Sequence, residues 1–409
     1  MTSPAETKGL RRRLRLEGGV GALALGLFVY GFGEELWFRF LPAYLRTLGA
    51  SAFLVGAFGT AKDLLDAAYA YPGGVLTDRL GSRRALLLFG VLTVAGFVLY
   101  LVHPSVPIVF LGLLLVMAWQ SLGLPATFTL IREELAGSGR LVAFTVQSVV
   151  KRLPIVLAPP LGGYLIGRLG MVRGMRVGFG ASILLGLTML ALLSRAFRGT
   201  PPPPPAGTAA DPAGSPRRRV RLHPTLRQLL VADCLIRLCE GLPDVFLVVW
   251  ALEVAHTSAA RFGLLTSVLM ITAILSYLPA ALLAERAEKK PWVVLTYLFF
   301  TLFPLAVVLA HSFVALAAAF VIGGLREIGE PARKSLIVDL AVDDPGRTVG
   351  LYYAIRGFAV AGAATIGGAL WTIRPSLTFF VAAALGALGT LWAAVALPSH
   401  PALPKEAAS

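Results

Sequence analysis

The chain has 409 residues, 56% hydrophobic and 14% charged, with a mean hydropathy of +0.76. Soluble domains carry about 25% charged residues, so this composition excludes an ordinary soluble enzyme and calls for a membrane. The net charge of +15 does not indicate a nucleic-acid binder, because the basic residues stand between apolar runs rather than on polar helices.

A bilayer core about 30 Å thick needs roughly 20 apolar residues per helix. After a basic tail ending in Arg11, Arg12, Arg13 and Arg15, with no signal-cleavage pattern, such runs predict helices at 18–44, 52–77, 84–103, 107–133, 141–168 and 175–196. Then come Pro201 to Pro205, a small-residue stretch and Arg217, Arg218, Arg219 and Arg221, which read as a stiff, exposed linker. Further runs predict helices at 226–254, 261–285, 291–311, 313–341, 347–372 and 376–397. The expectation is an all-α integral membrane protein of twelve transmembrane helices in two six-helix bundles. Its parts are a tail (1–17), a first bundle (18–199), a linker (200–224), a second bundle (225–398) and a tail (399–409). Lys and Arg concentrate on the side of the N-terminal tail, which sets both termini in the cytoplasm of a cell-membrane protein. Arg168, Arg173 and Arg176, read as an external loop, are the exception.

The two bundles echo each other at an offset of about 206 residues. Gly123, Pro125 and Ile131 match Gly329, Pro331 and Ile337; Glu34 and Phe40 match Glu240 and Phe246; Pro72 matches Pro279. Cys234 and Cys239 form no disulfide framework or metal pair, and the five histidines (His103, His223, His256, His311 and His400) fall in loops. No cofactor or metal is expected, and no GxSxG or HExxH pattern suggests an enzyme.

Charges inside the spans carry the functional signal. Glu34, Glu35 and Arg39 lie in helix 1; Lys62, Asp63 and Asp66 in helix 2; Lys151 and Arg152 in helix 5. Helix 7 holds Asp233, Arg237, Glu240 and Asp244, stepping by four, three and four as one face. Helix 10 holds Arg326, Glu327, Glu330, Arg333 and Lys334, and helix 11 holds Arg356. Helices 3, 6, 9 and 12 have none in their interiors. A charge facing lipid costs about 2.5–3.5 kcal/mol on insertion scales, so these must face one another or a wet cavity. Ion pairing is one use; contact with a solute or a coupling proton is another. Glu34 and Glu240, mid-helix and symmetry-related, are the coupling candidates. Arg237, Arg326 and Arg356 are candidates for a solute carboxylate or phosphate. Glu35, Arg39, Asp63, Gln120, Asp244, Glu327 and Glu330 complete the candidate set, with Trp119 and Tyr353 as stacking groups.

Between helices 2 and 3 stand Gly74, Asp78, Arg79, Gly81, Arg83 and Arg84, a basic turn in which Gly74 is read as allowing close helix approach and Gly81 a tight turn. A weaker second copy is Glu285-Arg286 with Lys289 and Lys290. With twelve helices, a 6+6 duplication and a central linker, this loop resembles the signature of the major facilitator superfamily, with Ser82 where an arginine often sits. The resemblance implies two pseudo-symmetric bundles and alternating access, with helices 1, 4, 7 and 10 around the cavity. It also implies a gating role for Asp78 near the start of helix 11. Ala158-Pro159-Pro160-Leu161-Gly162-Gly163 in helix 5 resembles an antiporter motif, although close packing accounts for its glycines equally well. Helix 4 has Met117 where many proton-coupled members carry an arginine. The expected function is therefore a monomeric, proton-coupled secondary transporter of a small polar or charged solute. A multidrug exporter and a non-transporting membrane sensor are the alternatives.

Overall fold

A computed structural model describes residues 19–134, 138–198, 222–284, 288–341 and 345–398. The tails, most of the linker, and Glu285 and Arg286 of the second loop copy lie outside the described residues. Among the described residues the chain is all helix, and it falls into twelve spans. The first bundle contains helix 1 (Gly19–Glu35, then Phe38–Phe40 and Leu41–Thr47), helix 2 (Ala52–Leu80) and helix 3 (Ser82–Val102). It continues with helix 4 (Val106–Met117, Ala118–Leu122 and Gly123–Glu134), helix 5 (Ser138–Leu169) and helix 6 (Met171–Ala196). The second contains helix 7 (Pro224–Gly241, Phe246–Val249 and Trp250–Val254), helix 8 (Ala259–Ala284) and helix 9 (Lys289–Leu309). Helix 10 (Phe313–Leu325 and Glu330–Asp339), helix 11 (Pro345–Val360 and Ala363–Ile373) and helix 12 (Pro375–Ala396) complete it.

Seven of these spans are long and apolar enough, taken alone, to cross a membrane: helices 3, 4, 6, 8, 9, 11 and 12. The remaining five, helices 1, 2, 5, 7 and 10, carry most of the intramembrane charges. Three of them are also broken near a proline. Pro42 and Pro331 stand in the first turn of the resuming helices and Pro243 in the interruption itself. Each lacks an N–H, and its ring would clash with the preceding turn if the helix ran on through it, so the interruptions fall beside them at 36–40, 242–245 and 326–329. Helix 4 instead widens into a π turn over Ala118–Leu122. Thr93 of helix 3 satisfies it: the hydroxyl lies 3.3 Å from the Leu115 and Val116 carbonyls and accepts from the Trp119 amide at 3.0 Å. In the second bundle Thr296 of helix 9 accepts from the Gly329 amide at 2.5 Å, at the break of helix 10.

The chain forms two compact units. One holds helices 1 to 6, less Ala50–Thr60 but with Ser258–Gly263 from the start of helix 8. The other holds helices 7 to 12 with Ala50–Thr60 from the start of helix 2. Within the first unit a Cβ at Gly162 would overlap the Leu36 carbonyl, one at Gly163 the Ala259 carbonyl, and one at Gly263 the Pro159 carbonyl. Within the second, Gly367 meets the Leu242 carbonyl, Gly368 the Ala52 carbonyl and Gly56 the Ala364 carbonyl in the same way. Thr365 donates to Thr60 Oγ1 at 2.8 Å beside the last of these. The internal repeat therefore reaches the level of single backbone contacts.

Two expectations are corrected. Arg168, Arg173 and Arg176 do not sit in a loop: Arg168 lies in the last turn of helix 5, the chain turns at Gly170 (φ +81°), and Arg173 and Arg176 fall within helix 6. A positive φ costs glycine little, so one residue suffices to join two spans. Gly74 is not the close-approach glycine of the signature loop, because a Cβ there meets open space; a Cβ on the preceding Gly73 would lie 2.6 Å from the Leu122 carbonyl.

Candidate functional site

In the first unit the candidate cluster centres on Glu34, which is 3% exposed at the end of the first segment of helix 1. Its Oε1 accepts from the Tyr30 hydroxyl at 2.9 Å and its Oε2 from Gln120 Nε2 at 2.5 Å. Gln120 reaches it from the π turn of helix 4, a type of irregularity frequent at functional sites. Beside Gln120, Ser121 donates to Asp66 of helix 2 at 2.6 Å. Tyr30 is wedged against Trp119 (ring centroids 5.6 Å) and Phe97 (6.1 Å), and Trp37 donates to Ser182 at 2.8 Å. Glu35 pairs with Arg39 at 3.0 Å one turn on. Asp63 pairs with its neighbour Lys62 at 3.3 Å and is half exposed, while Asp66, also exposed, is held by Ser121.

The second unit gathers a larger network. Asp233, 1% exposed, pairs with Arg333 at 2.5 Å and accepts from the Tyr297 and Tyr352 hydroxyls. Arg333 also holds Glu330 through two nitrogens, at 2.8 and 3.2 Å. Arg237 bridges Glu240 at 2.5 Å and Glu330 at 3.2 Å. Arg326 lies 3.6 Å from Glu240, donates to the Gly323 carbonyl at 2.8 Å and stacks over Phe300 and Phe303 at 4.9 and 4.6 Å. Arg356 lies 3.5 Å from Asp233 and 4.5 Å over the Tyr353 ring. Desolvating this many charges is offset by pairing: Asp233 collects Arg333 and two tyrosine hydroxyls, Glu330 collects Arg333 and Arg237, and Glu240 collects Arg237 with Arg326 3.6 Å away.

The expected faces are thus rearranged by the proline breaks. Asp244 does not continue the face of Asp233, Arg237 and Glu240; helix 7 stops at Gly241 and leaves Asp244 exposed in the interruption around Pro243 before it resumes at Phe246. Glu327 is half-buried in the break of helix 10, apart from the helical stripe expected for it. Glu34 and Glu240 hold equivalent places in the repeat but have unlike direct partners: Glu34 is hydrogen-bonded by the neutral Tyr30 and Gln120, whereas Glu240 is paired with two arginines. Asp233 and Arg333 form the most buried ion pair among the described residues; the sequence marks each as a charge inside a span but not the two as partners. The tyrosines Tyr30, Tyr297 and Tyr352 had no signal, since a lone tyrosine in an apolar span is ordinarily packing.

In the signature loop Gly81 makes the turn at φ +78°, Asp78, Arg79 and Arg84 are exposed, and Arg83 lies 5.8 Å over the Phe197 ring. Replacing Gly81 by alanine is expected to cost about 1 kcal/mol in thermal unfolding, the usual penalty of a side chain at positive φ. The helix-5 motif is accounted for by packing, because Gly162 and Gly163 each touch a backbone carbonyl.

Among the described residues, twelve helical spans in duplicated bundles with polar clusters buried inside them have the architecture of a polytopic membrane transporter. Sequence comparison matches the Major Facilitator Superfamily over residues 23–254 and 229–409. The chain belongs to that superfamily. No curated protein matches it. Among solved structures, the peptide transporter POT in complex with sulfate is similar at 17% identity, covering 92% of this chain and 93% of that one, with a TM-score of 0.72. A POT family transporter in complex with 5-aminolevulinic acid is similar at 14% identity, covering 93% and 95%, with a TM-score of 0.73. A bacterial homolog of the human lysosomal transporter Spinster, inward-facing and unoccupied, is similar at 14%, covering 94% and 98%, with a TM-score of 0.63.

Proposed function

We propose that the chain is a proton-coupled secondary transporter, working by alternating access, for a small peptide-like solute that carries an acidic group. The reading takes the protein as a monomer with both termini cytoplasmic. The observation that carries it is Glu34, a buried carboxyl whose two hydrogen-bond partners, Tyr30 and Gln120, are both neutral. Such a carboxyl can gain or lose a proton without breaking an ion pair. Glu240, tied to Arg237 and Arg326, cannot. The peptide-like class is supported by the similarity to POT structures, including those with 5-aminolevulinic acid and with alafosfalin.

In proteoliposomes, the wild-type protein is expected to accumulate dialanine or 5-aminolevulinic acid when a pH gradient is imposed. Glu34→Gln keeps groups able to hydrogen-bond but removes the titrating one. It is expected to lower gradient-driven accumulation by about tenfold or more while leaving solute exchange in the absence of a gradient. Accumulation by Glu34→Gln at the wild-type level would refute the role of Glu34.

A further inference from the structure

We infer that Arg356 is the anion-binding group of the second unit, placed to receive a carboxylate or phosphonate oxygen of the transported solute. The inference rests on the transporter reading and deepens it by assigning the solute's acidic end. It follows from the lone pairs of Asp233. One oxygen, Oδ1, accepts from Tyr297. The other, Oδ2, accepts from Arg333 Nη1 at 2.5 Å and from the Tyr352 hydroxyl at 2.7 Å. A carboxylate oxygen has two lone pairs, so Oδ2 is full. Arg356 Nη1 stands 3.5 Å from that same atom, outside good hydrogen-bond range. Although Nη1 is buried, it finds no hydrogen-bond acceptor among the described residues.

The neighbouring guanidiniums are already committed. Arg333 is engaged by Asp233 and Glu330, Arg237 by Glu240 and Glu330, and Arg326 by the Gly323 carbonyl with Glu240 nearby. Arg356 is the member of the network with a buried donor left over. It is also oriented, because its guanidinium lies 4.5 Å over the Tyr353 ring on the same helix. Buried donors are ordinarily paired, and an anionic oxygen would give this one a charge-assisted bond in the planar geometry that arginine favours. An anion entering here does not meet a net negative charge, because the network sets four arginines (Arg237, Arg326, Arg333 and Arg356) against three carboxylates (Asp233, Glu240 and Glu330).

The test is equilibrium binding to the purified full chain, read by thermal shift at constant ionic strength. The probes are inorganic phosphate and succinate, with ethylammonium chloride as the control. Wild type is expected to show saturable stabilisation by both anions and none by the cation. Arg356→Gln should raise the apparent Kd about tenfold or more, and Arg356→Lys, which keeps the charge but loses the planar fork, should fall between. Tyr352→Phe leaves Arg356 in place but empties one lone pair of Asp233 Oδ2. The arginine should then be drawn toward that lone pair, weakening anion binding several-fold, and this variant carries the test should Arg356→Gln fail to fold. Equal binding by Arg356→Gln and wild type, or no saturable anion effect on wild type, would overturn the assignment. No gradient is present, so a failure of proton coupling at Glu34 leaves these results unchanged. Transport of a non-acidic solute without anion binding would remove the Arg356 assignment together with the solute's acidic group, and would leave proton coupling at Glu34 standing.

Discussion

Replacing Arg333 by alanine is expected to destabilise the protein by about 3–5 kcal/mol, the cost of leaving buried charge without its partner. The side chain is 2% exposed and touches two carboxylates, Asp233 at 1% and Glu330 at 7% exposure. Its removal strands the first with the tyrosine hydroxyls and the more distant Arg356, and the second with Arg237 and the more distant Lys334. Removing both charges should cost less than the two single losses summed. The double variant Asp233→Asn/Arg333→Gln keeps groups able to hydrogen-bond, and a coupling energy of about 1–3 kcal/mol is expected from the cycle. Unfolding in mixed micelles measures it, and strictly additive losses would show that the pair is not a unit.

Enlarging Gly162 is the second large effect. A methyl group there would overlap the Leu36 carbonyl, at the break of helix 1 two residues beyond Glu34. Backbone cannot yield as a flexible side chain does, so helix 5 must move away from helix 1. Overpacking of this kind costs about 1–3 kcal/mol, occasionally more. Gly162→Ala should therefore lower the melting temperature clearly, and Gly162→Leu should abolish recovery of folded protein. Gly367→Ala, against the Leu242 carbonyl, should behave alike because it occupies the same place in the repeat. Gly74→Ala is the control: its Cβ enters open space, and its melting temperature should stay near wild type. Equal losses at Gly74 and Gly162 would contradict the packing account.

The spans were legible because apolar runs of bilayer length leave few alternatives, and the described boundaries fall within a few residues of those read from the runs. The charges were legible too, since each is costly in a bilayer and therefore conspicuous. Partnership was not. Spacing placed Asp233, Arg237, Glu240 and Asp244 on one face, but the helix breaks around Pro243 and removes Asp244 from that face. Spacing also treated Glu34 and Glu240 as equivalents, whereas one is held by a tyrosine and a glutamine and the other by arginines. Gln120 and Arg326 come from other helices, and helix periodicity carries no information about them. The glycine pairs 162–163 and 367–368 could have been found as part of the repeat, but their meaning depends on which carbonyl each meets.

The most direct test of the central claim is the pH inside proteoliposomes while solute enters. Vesicles loaded with a pH-sensitive dye and given external dialanine or 5-aminolevulinic acid should show a shift in lumenal pH that follows the solute flux. The shift should be absent with Glu34→Gln. Solute flux with no change in lumenal pH, indifferent to an imposed gradient, would contradict proton coupling.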